Sequence, residues 1–97
     1  MKKIIGNMLY DTEKAEKIFS FRSRRKTGEF GSLNFYDWFD VDIYKTKKGN
    51  YFIHGYIKDK PSYENFIEEI SENEVKEIIK ELDPDKYISL GYEVKEA

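Results

Sequence analysis

Few residues in this chain are equipped for chemistry. Its 97 residues include one histidine, His54, and no cysteine. Thiolate catalysis is excluded, and a serine–histidine–carboxylate relay would have to run through His54. Its orienting acid would be Asp42, provided the two halves of segment 36–58 pair as strands. No Gly-x-Ser-x-Gly turn is present to hold a serine nucleophile. A histidine facing an aspartate across a strand pair is read more simply as an ion pair, which predicts that Asp42 raises the His54 pKa. Asp37, Asp40, Asp42 and His54 are the candidates for a metal, but the compact Cys/His spacings that zinc favours are missing. A regular strand is also too stiff to wrap calcium. Lys48-Gly49 lacks the spacing of a phosphate-binding loop. The residues therefore predict no enzyme, no metal and no cofactor.

What remains is charge and aromatic surface. Residues 1–60 hold 13 Lys/Arg against 8 Asp/Glu, and residues 61–97 hold 4 against 11. Arg22, Arg24, Arg25 and Lys26 form a tight basic cluster, and Lys45, Lys47 and Lys48 a second one. Together with Trp38, Tyr44, Phe52 and Tyr56 as stacking platforms, they have the residue types of a nucleic-acid interface. The overall net charge of -2 argues against a dedicated nucleic-acid domain, which is usually basic. The carboxylates Glu64, Glu68, Glu69, Glu72, Glu74, Glu77, Glu81, Asp83 and Asp85 crowd the C-terminal third. A rigid acidic face of this kind can fill a basic groove meant for a phosphate backbone. Its plain alternative is a solvated helix surface.

These residues must be positioned by one domain spanning 1–97, a length typical of a single core. KIIGNMLY (3–10) reads as two very short strands about Gly6-Asn7. Asp11 or Thr12 is a helix cap, and Ala15, Ile18 and Phe19 share a helical face, which predicts a helix over 11–20. Gly28 and Gly31 mark 22–33 as a loop carrying the basic cluster. Segment 36–58 is a hairpin closed by Lys47-Lys48-Gly49. That closure sets a register in which Tyr44 faces Phe52, Ile43 faces Ile53, Asp42 faces His54, Asp40 faces Tyr56 and Phe39 faces Ile57. One face then carries Phe39, Val41, Ile43, Ile53 and Ile57, and the other Trp38, Asp40, Asp42, Tyr44, Phe52, His54 and Tyr56.

Segment 61–70 suits either a helix capped by Ser62 or a strand. Ser71-x-x-Glu74 is a capping box, and Val75, Ile78, Ile79 and Leu82 form an apolar stripe, so a helix spans 72–82. Asp83-Pro84 stops it and can open a further turn. YISLGYEV (87–94) has the makings of a last strand. The expected fold is α+β: a small antiparallel sheet built on the central hairpin and packed against two short helices, 11–20 and 72–82. The apolar runs are too short to span a membrane, and the N-terminal stretch has no sustained apolar segment of a secretory signal.

Two stretches, IIGNMLYDTEKAEK (4–17) and IYKTKKGNYFIHG (43–55), together resemble a family of small accessory proteins of bacteriophages and mobile elements. The resemblance rests on Gly6, Tyr10, Asp11, Thr12, Ala15, Tyr44, Thr46, Gly49, Tyr51, Phe52 and Gly55. Ser71, Glu74, Val75, Asp83, Asp85 and Tyr87 extend it. It fails in 20–35 and 56–70, so the basic cluster is not part of it. The resemblance implies a strand at Phe66–Ile70 and the cytoplasm of a host bacterium. It also implies inhibition of host defence, with anti-CRISPR proteins as prominent members. On that expectation the chain binds a CRISPR-Cas effector protein, or its guide-RNA complex, through the basic residues 22–26 or the acidic face around Glu68, Glu69, Glu74, Glu77 and Glu81. The alternative is a small regulatory nucleic-acid binder using 22–26 and the hairpin tip 45–48. A monomer or a homodimer by strand pairing suits both.

Overall fold

The computed structural model describes residues 1–58 and 65–97. It is an α+β fold with two antiparallel sheets and two short helices. The first sheet is the hairpin β1 (Lys2–Ile5) and β2 (Met8–Asp11), turned at Gly6-Asn7 as the sequence predicts. Gly6 there has φ +62, a conformation that glycine adopts without steric cost. The second sheet has the order β3 (Glu16–Phe30), β4 (Leu33–Lys45), β5 (Tyr51–Tyr56), β6 (Phe66–Ile70). Helices α1 (Glu72–Leu82) and α2 (Pro84–Ser89) follow. Among the described residues, no helix is long and apolar enough to cross a membrane. The alternative cap at Ser62 and the acid Glu64 lie outside the described residues.

The central hairpin has the register expected of it: Tyr44↔Phe52, Ile43↔Ile53, Asp42↔His54 and Asp40↔Tyr56. Its closure is fixed locally. Thr46 N–H donates to the Asn50 carbonyl at 2.8 Å, Asn50 N–H donates to Thr46 Oγ1 at 3.0 Å, and Gly49 takes φ +89. Phe66–Ile70 is a strand, paired with β5. The capping box is also in place, with Glu74 N–H donating to Ser71 Oγ at 3.1 Å and Ser71 N–H to Glu74 Oε1 at 3.4 Å.

Three local expectations fail. Segment 11–20 is not a helix. Asp11 does cap a turn, accepting from Glu13 N–H at 2.9 Å, and the Ala15 N–H bonds back to the Asp11 carbonyl. The turn stops there and β3 begins at Glu16. One helical turn is a costly nucleus with little to extend it, whereas β4 offers a long ladder of backbone partners. A register shift between Lys17 and Phe19 brings the adjacent Ile18 and Phe19 to the same cluster, a grouping the sequence disguises as helical spacing. Segment 22–33 is not a loop: all but Gly31-Ser32 is strand. Gly28 marks a second register shift rather than a break, and Gly31, at φ +61, makes the tight turn. Finally, 87–94 is not a strand. Asp83 accepts from Lys86 N–H at 3.1 Å, opening α2 with Pro84 at its first position, and Gly91 at φ +89 follows the helix end.

The sheet is therefore covered on both faces, though only in part. On one side Ile43, Ile18 and Tyr51 pack beneath Val75 and Ile79 of α1 and Tyr87 of α2. On the other, Tyr44, Phe52 and Ile67 pack beneath Tyr10 of the β1–β2 hairpin. The small hairpin thus covers the aromatic face, and the aliphatic face is covered by α1 and α2 without the expected helix over 11–20. Lys3 Nζ donates to the Ile67 carbonyl at 3.3 Å, tying the small hairpin to β6, and the Met1 ammonium donates to Thr12 Oγ1 at 2.9 Å, closing the hairpin's open end.

Candidate functional site

The ladder between β4 and β5 runs from Asp40↔Tyr56 to Lys45↔Tyr51, whereas that between β3 and β4 continues on to Phe30↔Leu33. The continuation is a two-stranded arm extending about seven residues past the body of the sheet, ~20 Å at a strand's rise. Its side chains divide by register. Arg22↔Asp40, Arg24↔Trp38 and Lys26↔Tyr36 are directly opposite, so these six residues share a face. Arg25 is opposite Asp37 and points the other way.

On the first face cations and rings interleave. The Arg22 guanidinium lies 5.5 Å from the Trp38 ring centroid, and that of Arg24 lies 4.5 Å from Tyr36. Both contacts are diagonal, as the twist of a two-stranded ribbon favours. Each is worth about 0.5–1 kcal/mol at an exposed site. Arg22 also approaches Asp40 at 3.8 Å, and Lys26 pairs with Glu29. Among the described residues no carboxylate lies within salt-bridge distance of Arg24. Beyond this face the tip of the arm is apolar: Phe30, Leu33 and Phe35 are 78%, 61% and 54% exposed, and Trp38 is 55% exposed. Leu33 and Phe35 alternate with Tyr36 and Trp38 between the two faces of the arm, so each face exposes large apolar side chains, the mark of an interaction site.

The four basic residues thus do not act together. Arg22, Arg24 and Lys26 face solvent beside Trp38 and Tyr36. Arg25 crosses to β6, where its two terminal nitrogens donate to the Glu68 carboxylate at 3.1 and 2.9 Å and its guanidinium covers the Phe66 ring at 4.0 Å. Lys45, Lys47 and Lys48 lie at the opposite end of β4, ~23 Å from Trp38 at a strand's rise. Lys47 and Lys48 line a hollow of about 340 Å³ with Tyr10 and Lys14. The basic residues of 22–26 and those of 45–48 are therefore two separate patches. The aromatic face is divided as well. Tyr44 and Phe52 stack at 5.0 Å and are buried under the β1–β2 hairpin, Tyr56 is half-buried, and Trp38 alone of the four is exposed.

The expected acidic face is largely occupied by local partners. Glu68 holds Arg25, Glu74 is in the capping box, Glu77 pairs with Lys80 at 3.2 Å and Glu72 with Lys76 at 3.2 Å. Glu69 sits beside Tyr10 and, with burial as the larger cause, holds the Tyr10 phenol above its usual pKa. Glu81 and Asp85 face solvent. The described carboxylates of this set are spread over β6, α1 and α2.

Between the buried end and the arm stands Asp42, only 5% exposed. It accepts from Ser20 Oγ at 2.6 Å and pairs with Lys17 at 3.5 Å. Across the ladder, the His54 Nε2 is buried and has no hydrogen-bond partner among the described residues. The expected rise in its pKa is reversed: burial lowers it, and the opposing pull of Asp42 is the smaller effect. Ser20 bonds to the carboxylate rather than to the imidazole, and among the described residues no serine donates to the buried His54 Nε2. Burial, with Asp42 and Asp40 behind it, raises the Tyr56 pKa. Among the described residues no group of three His, Asp or Glu side chains is arranged to hold a metal.

Comparison with protein-family models, with curated protein sequences and with solved structures finds no match for this chain.

Proposed function

We propose that this chain is a non-enzymatic binding protein that uses the β3–β4 arm to occlude a nucleic-acid-handling effector. In its sharpest form this is an anti-CRISPR inhibitor of the phage and mobile-element kind that the sequence resembles, acting in the host cytoplasm on a CRISPR-Cas effector protein or its guide-RNA complex. The observation that carries the reading is the exposure of Phe30, Leu33, Phe35, Tyr36 and Trp38 along one slender hairpin flanked by arginines. Trp, Tyr and Arg are the residues that concentrate binding energy at interfaces. An arm that projects from a rigid sheet presents them without the ordering cost of a disordered segment. The acidic side chains support the competing phosphate-mimic route poorly, because Glu68, Glu74 and Glu77 are already engaged.

The test is inhibition of target cleavage by purified CRISPR effectors, comparing the wild type with a Phe30→Asp/Leu33→Asp variant. The reading expects inhibition of at least one effector by the wild type and its loss in the variant, with the thermal midpoint unchanged. Inhibition that survives in the tip variant would overturn the arm as the contact. Absence of inhibition across representative effector types would overturn the anti-CRISPR assignment.

A further inference from the structure

We infer that the Arg22, Arg24, Lys26, Tyr36 and Trp38 face of the arm is a binding surface for single-stranded nucleic acid. This rests on the reading that the arm is the contact surface and adds a partner class to one of its faces. Three observations converge. First, the register puts all five side chains on one face of a two-stranded ribbon, where same-face positions recur every ~7 Å. That repeat is close to the separation of successive nucleotides on an extended strand. Second, Trp38 and Tyr36 are exposed rings, and base–aromatic stacking is the sequence-tolerant way to hold an unpaired base. Third, the cations are set between the rings rather than apart from them, with Arg22 over Trp38 and Arg24 over Tyr36. A planar guanidinium in that position can stack on a base while donating to the adjoining phosphate. A duplex would offer no free base faces to these rings, so the chemistry selects single strands. The apolar tip at Phe30 and Leu33 lies beyond this ladder and does not take part.

Trp38 is the one tryptophan of the chain, so its emission reports on this face alone. The experiment titrates the full chain with a 12-nucleotide oligo(U) RNA, its single-stranded DNA counterpart and a 12-base-pair duplex, following Trp38 fluorescence and the anisotropy of labelled oligonucleotide. The inference expects quenching by single strands with Kd in the range of about 10⁻⁴ to 10⁻⁶ M. It also expects a log–log salt slope of about −2, as three cations at ~0.7 each would give. Arg24→Glu should weaken binding at least tenfold, and Lys48→Glu, an equal charge change at the far end of β4, less than twofold. No quenching in the wild type overturns the inference, as does equal quenching by duplex. Binding seen by anisotropy with Trp38 emission unchanged overturns this face as the site. Equal weakening by Lys48→Glu reduces the effect to general charge and overturns it too. A chain that inhibits an effector yet leaves Trp38 unquenched by oligonucleotide would retain the proposed function and lose this inference.

Discussion

Arg25 and Glu68, 43 residues apart, meet in a two-point ion pair at 3.1 and 2.9 Å, with the Arg25 guanidinium lying over Phe66. The pair joins the root of the β3–β4 arm to β6 across the sheet. It engages the one member of the basic cluster that strand alternation turns away from the other three. Because both side chains keep about two-fifths of their exposure, screening by water discounts the pair despite its good geometry. Arg25→Ala or Glu68→Ala should each cost about 1 kcal/mol in chemical denaturation. The double variant should cost clearly less than the two added together, and strict additivity would show that the pair contributes nothing.

Gly55 is held bare by its neighbour. A methyl group at that position would lie 2.1 Å from the Phe66 ring, which itself makes an edge contact with Phe39 at 5.4 Å. Gly55→Ala should therefore destabilise the fold by about 1–3 kcal/mol through overpacking. Adding Phe66→Ala to Gly55→Ala should cost less than Phe66→Ala does in the wild type, because the displaced ring is gone. A Gly55→Ala variant with an unchanged unfolding midpoint would refute the packing described for β5 and β6.

His54 makes stability depend on pH. Its folded pKa lies below the ordinary 6.5, so at mildly acidic pH the unfolded chain binds more protons than the folded one. Stability should be full above pH 6.5 and fall as pH drops through that value toward the depressed folded pKa. The same slope should be absent in His54→Gln. Urea midpoints at pH 7.5 and 5.5 for both proteins check this, and a wild type more stable at pH 5.5 would reverse the sign assigned to burial.

Asp42 is the polar hub of the half-covered face. Asp42→Asn keeps the size but removes the charge that Lys17 and the Ser20 hydroxyl use. A loss of about 1–3 kcal/mol is expected from weakening a buried charged acceptor, with Ser20→Ala costing less. Equal losses for the two variants would mean that Asp42 acts through Ser20 alone.

The sequence by itself determined what local chemistry decides. Gly6-Asn7, the Lys47-Lys48-Gly49 closure, the Ser71–Glu74 capping box and the Asp83-Pro84 stop all appear where their residues require them. Each uses a side chain or a glycine within a few residues of the backbone it satisfies. The β4–β5 register followed from the same closure, because a one-residue slip would have exchanged Ile43 and Ile53 with Asp42 and His54. Tertiary structure decided the rest. Residues 11–20 carry helical spacing, but β4 needed a partner, and a long ladder outweighs one short helix. The arm was hidden because its first half, residues 22–29, has no apolar alternation, so Arg22 to Lys26 read as a loop. Strand alternation divides those residues between two faces, and the partner that takes up Arg25, Glu68, lies far along the chain. Burial of His54 depends on neighbours from distant segments, and these outweigh the charge of Asp42 that the strand register alone made visible.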